Sequence, residues 1–406
     1  MWQVPIWIIY AVFFMDFFIA FFYLSIYIQS KIKKENLEKK EREITFIIPA
    51  YNRESTIKDC VESIRNARYP QNKIKIIIVD DGSKDKTYAI AKELEKKYSN
   101  VKVLTKKNEG RKAFPVNFGL KHANTELVAI LDGDCFIKED VLERAMPFFS
   151  KKEIMAVVFR MKPTNKDQLI ERMQYIEYAL ATFYRKIIGA INSLPVSNGF
   201  SIFRKEFFDK HGYFETDNMT EDFEMGLRIQ DSQYNLGYVS ESYSLTDVPD
   251  TFRGWAKQRL RWSYGTLYNY KKYKHIFLNK KYGDLGIFIL PSGFISLLVV
   301  SLIFLFALYS AMNWGWNHIQ MIQFGWYPSF SLNLNSIYFF MIDLRIILFF
   351  FSILVGLTLF SLCQIELKEK LNFIDYALTL TLYMWMLAVM YIISLAYFLI
   401  GKRPKW

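Results

Sequence analysis

The stretch "KIKIIIVDDGSKDKTYAIAKELEKKY", residues 73–98, joins an apolar run, an acidic turn and an amphipathic segment. The run Ile74–Val79 is typical of a strand that is buried on both faces. The apolar residues that follow repeat with the helical period, which predicts a helix from about Lys86. A buried strand followed directly by an amphipathic helix is half of a βαβ unit, so this stretch indicates a parallel sheet.

The same order recurs on both sides of this stretch. "EITFIIPAYNRESTIKDCVESI", residues 43–64, predicts a strand at Ile44–Ile48 and a helix from about Ser55. Downstream, "VKVLT" (101–105) and "ELVAILDGD" (126–134) are strand-like, and a helix is predicted between them at Ala113–His122. The predicted fold class is therefore α/β, a mostly parallel sheet with helices on both faces.

Polar groups gather where these strands end, in "PAYNRE" (49–54), "DDGS" (80–83) and "DGD" (132–134). Ligands of such sheets bind beyond the carboxyl ends of the strands. Neither a GxGxxG nor a GxxxxGK[ST] loop occurs, which argues against a dinucleotide enzyme or a P-loop NTPase. Asp132 and Asp134 can direct two carboxylates toward one divalent cation, with a diphosphate supplying further oxygens. Each motif alone is also compatible with a solvated turn.

Four long apolar runs lie outside this region, at 5–29, 286–312, 338–363 and 373–400. Each is long enough to cross about 30 Å of hydrocarbon. The α/β region is therefore predicted to be inserted between transmembrane α-helices. The predicted units are an N-terminal transmembrane helix (1–30), a basic juxtamembrane linker (31–43), a soluble domain (44–250), interfacial helices (251–284) and a C-terminal membrane region with about three transmembrane helices (285–406).

The charge distribution orients these units. Six of residues 31–42 are Lys or Arg, so the positive-inside rule places this flank and the soluble domain in the cytoplasm of a multi-pass membrane protein. The first run is too long for a signal peptide and lacks an obvious cleavage site. Four spans would place the C-terminus outside, whereas the basic end "GKRPKW" (401–406) favours the inside, and the sequence leaves this open.

Charged residues within the apolar runs have two interpretations. Asp16, Asp343 and Arg345 could line the path of a polar polymer or form a buried pair, and the sequence does not decide between them. The net charge of +12 has a membrane explanation, and no nucleic-acid-binding motif accompanies it. No nucleic-acid partner is therefore predicted.

Three downstream motifs make a family resemblance specific. These are "VSNGFSIFRKEFF" (196–208), "MTED" (219–222) and "QRLRW" (258–262), which follow the strand-end motifs in order. With them the chain resembles the inverting nucleotide-sugar glycosyltransferases of family 2, which have the type A (GT-A) fold. "QRLRW" resembles the QxxRW motif of the processive branch, which makes cellulose, chitin, hyaluronan and poly-N-acetylglucosamine.

The resemblance implies a role for each candidate residue. Asp222 would be the catalytic general base, and Asp134 would hold Mg²⁺ or Mn²⁺. The nucleotide-sugar donor would be bound by Tyr51, Glu54, Asp80, Asp81, Lys112, Asp132 and Arg261. The acceptor sugar would be bound by Asn198, Gly199, Glu221, Gln258 and Trp262. A structural alternative for "TED" is a helix N-cap at Thr220, and the two interpretations are compatible.

The basic segment 252–283 has two predicted parts. Gln258, Arg261 and Trp262 fall at i, i+3 and i+4, so a helix would present them on one face. Arginine suits bidentate binding of phosphate oxygens. The lysines of 271–281 are predicted to contact anionic lipid as part of an interfacial helix.

The predicted function is polymerisation of a UDP-sugar, with UDP-N-acetylglucosamine preferred, into a β-linked polysaccharide that is exported. Its partners would be the donor, the growing polysaccharide and the lipid bilayer, and the resemblance leaves room for an accessory membrane subunit. The nearest alternative is non-processive transfer of one sugar to a lipid phosphate or glycolipid. A non-enzymatic receptor for nucleotide sugars is the alternative from another class.

Overall fold

The structure, a computed structural model, describes residues 6–32, 40–324 and 344–404. Its soluble part is built around one eight-stranded sheet. The strands are β1 (Ile44–Ala50), β2 (Ile74–Asp80), β3 (Val101–Thr105), β4 (Leu127–Leu131), β5 (Phe136–Ile137), β6 (Ile154–Pro163), β7 (Phe200–Arg204) and β8 (Asn235–Thr246).

The sheet has the spatial order β3-β2-β1-β4-β7-β6-β8-β5. Strands β3, β2, β1 and β4 are parallel neighbours, as the alternating pattern predicts. Strand β7 runs antiparallel to both β4 and β6, while β6 and β8 are again parallel. The prediction of a mostly parallel α/β sheet is confirmed, and the antiparallel strand β7 joins its two parts.

Helices cover the sheet and continue beyond it. Those described are α1 (Ile6–Ile32), α2 (Ile57–Arg65), α3 (Thr87–Lys97), α4 (Ala113–His122), α5 (Val141–Ala145), α6 (Leu169–Ala190), α7 (Lys205–His211), α8 (Glu221–Asp231), α9 (Phe252–Lys272), α10 (Leu290–Gln323), α11 (Leu344–Leu367), α12 (Phe373–Leu378) and α13 (Met384–Leu399).

The two faces of the sheet bury separate cores, because successive strand residues point to opposite sides. On one face, Phe46 and Ile78 pack with Ile64 of α2. On the other face, Ile47 packs with residues of α4 and α8, including Met225. Burial of each of these apolar side chains contributes about 1.5–3 kcal/mol to the stability of the fold. Packing against the helices therefore stabilises both faces of the sheet.

Four segments are long and apolar enough to cross a membrane, at Phe13–Ser30, Leu285–Gln323, Phe350–Leu367 and Phe373–Ile400. The second is longer than the sequence predicts. Helix α10 continues beyond the predicted run 286–312 through Gln323, into the Trp-rich stretch 313–335. The rest of that stretch from residue 325, Asp343, and the side chains of Asp16 and Arg345 lie outside what the structure describes.

Helix α6 contacts three of the long apolar segments. Tyr23 of α1 donates a hydrogen bond to Tyr184 Oη at 3.0 Å. Cys363 of α11 donates to the Ala179 carbonyl at 3.5 Å. Arg172 Nε contacts Asp375 of α12 at 3.2 Å. Three membrane-associated segments therefore meet on one helix of the soluble part.

The last apolar segment runs beside α9 along its length. Trp255 Nε1 donates to Tyr383 Oη at 2.9 Å near one end. Near the other end, the ring centroids of Tyr264 and Phe398 lie 6.1 Å apart. Beyond α13, Arg403 Nη1 forms an ion pair with Asp217 of the soluble part at 2.7 Å. Both ends of the segment thus contact elements next to the sheet.

Candidate active site

A cleft of about 520 Å³ opens beyond the carboxyl ends of β1, β2 and β4. Parallel strands bring these three ends to one edge of the sheet, where the sequence motifs are concentrated. The cleft is lined by Pro49, Ala50, Tyr51, Arg53, Asp81, Asn108, Gly110, Arg111, Lys112, Pro115, Asp132, Gly133 and Asp134. Five of the predicted site residues, Tyr51, Asp81, Lys112, Asp132 and Asp134, are among them.

The DxD pair is held by two cations. Lys112 Nζ forms an ion pair with Asp132 Oδ1. Arg53 Nη2 lies 2.8 Å from Asp134 Oδ2. Burial and the charge of Asp132 raise the pKa of the Asp134 carboxyl, although Arg53 and Lys112 oppose the rise. The pair is therefore a site where added positive charge is stabilised.

Asp132 and Asp134 form a candidate cation site together with Cys135, since their ligand atoms lie within 4.8 Å of one another. Burial raises the pKa of the Cys135 thiol well above its usual value, so this sulfur stays protonated. Hard cations such as Mg²⁺ prefer oxygen ligands. The two carboxylates fit such an ion, whereas the thiol does not.

The two aspartates of the acidic turn after β2 have different contacts. Asp81 lines the cleft and accepts a hydrogen bond from Lys106 Nζ at 3.2 Å. Asp80 is buried, and its carboxylate accepts bonds from Thr105 Oγ1 and the Ser83 backbone N–H, both at 3.3 Å. Asp80 therefore fixes the shape of the turn, and it is not among the described residues that line the cleft.

Glu54 is likewise turned away from the cleft. Its Oε2 accepts a hydrogen bond from the Lys86 backbone N–H at 2.9 Å. Its own backbone N–H donates to Asp85 Oδ2 at 3.2 Å. Glu54 thus connects the loop after β1 to the loop before α3. In the part of the chain that the structure describes, Glu54 contacts the neighbouring turn, whereas the sequence analysis predicts that it binds the donor.

The predicted acceptor loop lies against the DxD motif. A Cβ added at Gly199 would meet Asp132 Oδ2 at 2.8 Å, so a larger residue would have to displace the Asp132 carboxylate. Asn198 is buried, and its Nδ2 donates to the Phe159 carbonyl at 2.6 Å. Asn198 therefore anchors the loop to β6, while Gly199 brings the loop backbone to Asp132.

"TED" begins helix α8, as the N-cap interpretation predicts. Thr220 is the N-cap residue, but its side chain makes no capping hydrogen bond. Instead its Oγ1 accepts from Asn269 Nδ2 of α9 at 3.0 Å. Asp222 Oδ1 accepts from the Phe223 backbone N–H at 2.8 Å, and Ser197 donates to the Asp222 carbonyl.

Lys112 connects the DxD motif with "TED". Burial lowers the pKa of its ammonium, but the carboxylates of Asp132, Glu221 and Asp222 outweigh that effect and raise the pKa. Burial also raises the pKa of the Glu221 carboxyl, with a further contribution from Asp222. The three carboxylates therefore lie within electrostatic range of the Lys112 ammonium, and Asp132 pairs with it directly. The acids of "TED" thus act electrostatically on a lysine that lines the donor cleft.

Helix α9 carries "QRLRW", as the spacing predicts. Arg261 Nη1 donates to the Met219 carbonyl at 3.1 Å, immediately before "TED". Gln258 and Trp262 lie on the same helix and are partly exposed, and the Gln258 Oε1 atom is buried without a described partner. Arg259 Cζ lies 4.3 Å from the centroid of the Trp262 ring.

Several residues of the site were not singled out from the sequence. Arg53 stands within the quoted "PAYNRE" stretch, but no role was assigned to it. Asn108 and Arg111 precede α4 in a segment without a motif. Arg259 is buried and forms an ion pair with Glu177 of α6 at 2.6 Å. Its partner stands 82 residues earlier, so no local signal could have identified the pair.

Residues 45–212 match the model of a family described as glycosyl transferase family 2. The chain carries a family 2 glycosyltransferase domain. The matched range includes the cleft and the Gly199 loop, whereas "TED" and "QRLRW" follow it. The family 2 match therefore agrees with the motifs at the ends of β1, β2 and β4.

Two curated relatives are both named poly-beta-1,6-N-acetyl-D-glucosamine synthase. The one from Staphylococcus epidermidis is 33% identical over 227 residues, which cover 55% of this chain and 54% of that protein. The one from Staphylococcus aureus (strain COL) is 30% identical over 239 residues, which cover 57% of each. The match thus spans about half the length of these curated relatives.

A solved structure agrees with the fold of the family 2 domain. It is a mannosyltransferase from Pyrobaculum calidifontis, in complex with GDP-Man and Mn²⁺. The TM-score is 0.52 at 21% identity, and the match covers 66% of this chain and 76% of that chain. At this identity the likeness supports the GT-A-type fold and says nothing about the substrate.

Proposed function

We propose that this protein is a membrane-bound inverting glycosyltransferase that polymerises N-acetylglucosamine from UDP-N-acetylglucosamine into a β-linked polysaccharide. The observation that carries the proposal is the position of Lys112, which pairs with Asp132 of the donor cleft and lies near enough to Glu221 and Asp222 for their charges to raise the pKa of its ammonium. Donor-binding and proton-accepting carboxylates around one cleft are what sugar transfer from a nucleotide diphosphate requires.

The donor would lie in the cleft with its base toward β2. Asp81 would hydrogen-bond the uracil, and the exposed ring of Tyr51 would contact the base or ribose. Lys112 and Arg261 would neutralise phosphate oxygens, because an ammonium and a guanidinium both donate strong charge-assisted hydrogen bonds. Arg53 would turn from Asp134 toward the diphosphate when a cation replaces it.

Asp134, with Asp132 beside it, would hold Mg²⁺ or Mn²⁺. The fit rests on two carboxylates in a partly buried place where burial and the charge of Asp132 already raise the pKa of Asp134. When bound, the ion supplies Lewis-acid stabilisation of the departing diphosphate. Asp132 and Asp134 would also keep this charge beside the Gly199 loop, whose backbone lies so near Asp132 that a Cβ at Gly199 would displace the carboxylate.

Asp222 would act as the general base. Its carboxylate takes the proton of the acceptor hydroxyl, whose oxygen forms the new bond to the anomeric carbon. The bond from that carbon to the diphosphate oxygen breaks on the opposite face, and UDP leaves with the bonding pair. A single displacement of this kind inverts the configuration and gives a β-linkage from an α-linked donor.

The acceptor would approach from the side of α9. Trp262 offers an aromatic face for the terminal sugar ring. Arg259 would hold the Trp262 indole in place, because its Cζ lies 4.3 Å from the centroid of that ring. Gln258, one turn earlier, has a buried Oε1 atom that could accept a hydrogen bond from a sugar hydroxyl. Asn198 and Glu221 would complete the acceptor site.

The preference for a polymer of N-acetylglucosamine rests on the two relatives named as synthases of that polymer and on the QxxRW motif. The alternative is transfer of one sugar to a lipid phosphate or glycolipid. To decide, purified protein in vesicles would receive separately labelled UDP-N-acetylglucosamine, UDP-glucose and UDP-glucuronic acid, with an Asp222→Asn control. A long product from the first donor supports the proposal, and a single-sugar lipid product would favour the alternative.

The contacts of the last apolar segment support an arrangement with the C-terminus on the cytoplasmic side. Residues 373–400 contact α6 through Asp375 at one end, and Arg403 pairs with Asp217 beyond the other. A segment with both ends against the soluble part would not cross the bilayer fully. A protease site placed after residue 406 should therefore be cut from the same side as one in the exposed turn at Lys84.

A further inference from the structure

Helix α9 fastens the loop 218–220 through three successive turns. Arg261, Gly265 and Asn269 are spaced by four residues and lie along one stripe of the helix. Arg261 Nη1 donates to the Met219 carbonyl at 3.1 Å. A Cβ added at Gly265 would clash with Thr220 Oγ1, so the helix backbone lies directly against the Thr220 side chain.

Asn269 makes the most specific contact of this stripe. The residue is fully buried, and its Nδ2 donates to Thr220 Oγ1 at 3.0 Å and to Asn218 Oδ1 at 3.3 Å. Asn218 Nδ2 returns a bond to Asn269 Oδ1 at 2.8 Å. Asn218 Oδ1 also accepts from the Thr220 backbone N–H at 3.1 Å. The two amides thus bind each other and the residue that begins α8.

This arrangement determines where Asp222 lies. Thr220 is the N-cap of α8, and Asp222 is in the first turn of that helix. Rotation or shift of Thr220 would therefore move the Asp222 carboxylate with it. Because the amide pair is buried and satisfied, releasing it would leave unpaired polar groups, which costs more than an exposed hydrogen bond.

We propose that Asn269 is a positioning residue that fixes the direction of the Asp222 carboxylate through Thr220. The inference rests on the proposed function, in which Asp222 is the base. Asn269 is fully buried against Asn218 and Thr220, so it would act through Thr220 and not directly on the substrate. The geometry assigns it to the catalytic step and not to the donor cleft, which lies at the ends of β1, β2 and β4.

The test compares Asn269→Ala with two variants of its partner. Thr220→Val removes the accepting hydroxyl but keeps the shape, whereas Thr220→Ser keeps the hydroxyl. We expect Asn269→Ala and Thr220→Val each to lower kcat by about tenfold or more, with UDP affinity within about twofold of wild type. Thr220→Ser should stay near wild type, and the double variant should be no worse than Asn269→Ala alone.

A matched control lies on the same helix. Thr266 Oγ1 donates only to the Trp262 carbonyl in the contacts described, at 2.9 Å, so Thr266→Val should leave kcat and UDP affinity unchanged. A normal kcat in Asn269→Ala, or an additive double variant, would overturn the positioning role. So would equal losses of kcat and UDP affinity, which indicate general disruption. A wild-type protein that binds UDP but transfers no sugar would instead reject the proposed function and the role together.

Discussion

Arg53 Nη2 lies 2.8 Å from Asp134 Oδ2, so a guanidinium contacts the carboxylate that is proposed to hold a divalent cation. The two cations therefore compete for one acid. Both side chains are more than one-third exposed, 44% for Arg53 and 34% for Asp134, so water weakens the pair. Such pairs contribute about 0.2–1 kcal/mol.

We expect Arg53→Gln to raise the Mn²⁺ affinity of the nucleotide-free protein by about two- to fivefold, because a competing charge is removed. Titration calorimetry in detergent measures this directly. Asp134→Asn should abolish the binding. Arg68→Gln, which removes an exposed pair with Glu139 away from the cleft, is the control and should have no effect. Weaker Mn²⁺ binding in Arg53→Gln would show that Arg53 supports the site.

Asp222→Asn should lower turnover by about a hundredfold or more while UDP affinity stays near that of the wild type. The amide keeps the size of the side chain but cannot take the acceptor proton. Steady-state kinetics and UDP titration of the same preparation give both quantities. Asp209→Asn, an exposed acid paired with Lys205 on α7, serves as the control. A parallel loss of UDP affinity would argue that Asp222 maintains the structure of the site instead.

The parts of the fold that the sequence predicts are those determined locally. Strands β1, β2 and β4 and helix α4 each appear as a continuous apolar or amphipathic run, and the structure has them within about two or three residues. Strand β7 was not predicted, because it pairs with β4 from about 70 residues away. Hydropathy likewise counts Phe373–Ile400 as a span without indicating that α13 packs along α9.

The site shows the same limit. Motifs identify which strand ends carry polar groups, but not the direction of each side chain. Asp81 lines the cleft while its neighbour Asp80 braces the turn, and Glu54 binds the Lys86 N–H. The pairing of Asn269 with Thr220 spans 49 residues and belongs to no motif. Only the packing of α9 against α8 determines it.

The lysines of 271–281 were all predicted to contact anionic lipid, but the structure gives one of them a different set of contacts. Lys272 pairs with the fully buried Glu224 at 2.9 Å and with Glu215, so its ammonium connects α9 to α8. The remaining four, Lys271, Lys274, Lys280 and Lys281, are exposed. Neutralising these four with Gln should leave turnover in detergent intact and lower it in anionic vesicles, since each near-surface charge contributes about 1 kcal/mol.

Arg261→Lys is the comparison for that variant. Lysine cannot reproduce the planar fork that binds phosphate while contacting the Met219 carbonyl, so transfer should fall in detergent and vesicles alike. Turnover of both variants in the two media separates the roles. If the four-lysine variant were as inactive in detergent as Arg261→Lys, the whole segment would belong to the active site.

The last prediction concerns how pH affects the contact between β6 and the loop after α11, where Glu369 pairs with Arg160 and Lys162. Burial raises the pKa of Glu369, but hydrogen bonds from Lys162 and Tyr175 and the charge of Arg160 outweigh it and lower the pKa to about 2. A depressed carboxyl pKa stabilises the fold above its ordinary value of 4.5, and the stabilisation is lost as pH falls toward 2.

Glu369→Gln should therefore lower the free energy of unfolding at pH 7 by roughly 3 kcal/mol, since each unit of pKa shift corresponds to about 1.4 kcal/mol and Arg160 would lose its buried partner. The difference from wild type should shrink by about half between pH 5 and pH 3, where the unfolded chain protonates but the native carboxylate is still charged. Denaturant unfolding in detergent at several pH values measures it. Glu139→Gln, at an exposed pair, should show little change at any pH. If Glu369→Gln lowered the free energy of unfolding equally at pH 7 and pH 3, the shape of the Glu369 side chain, and not its charge, would stabilise this contact.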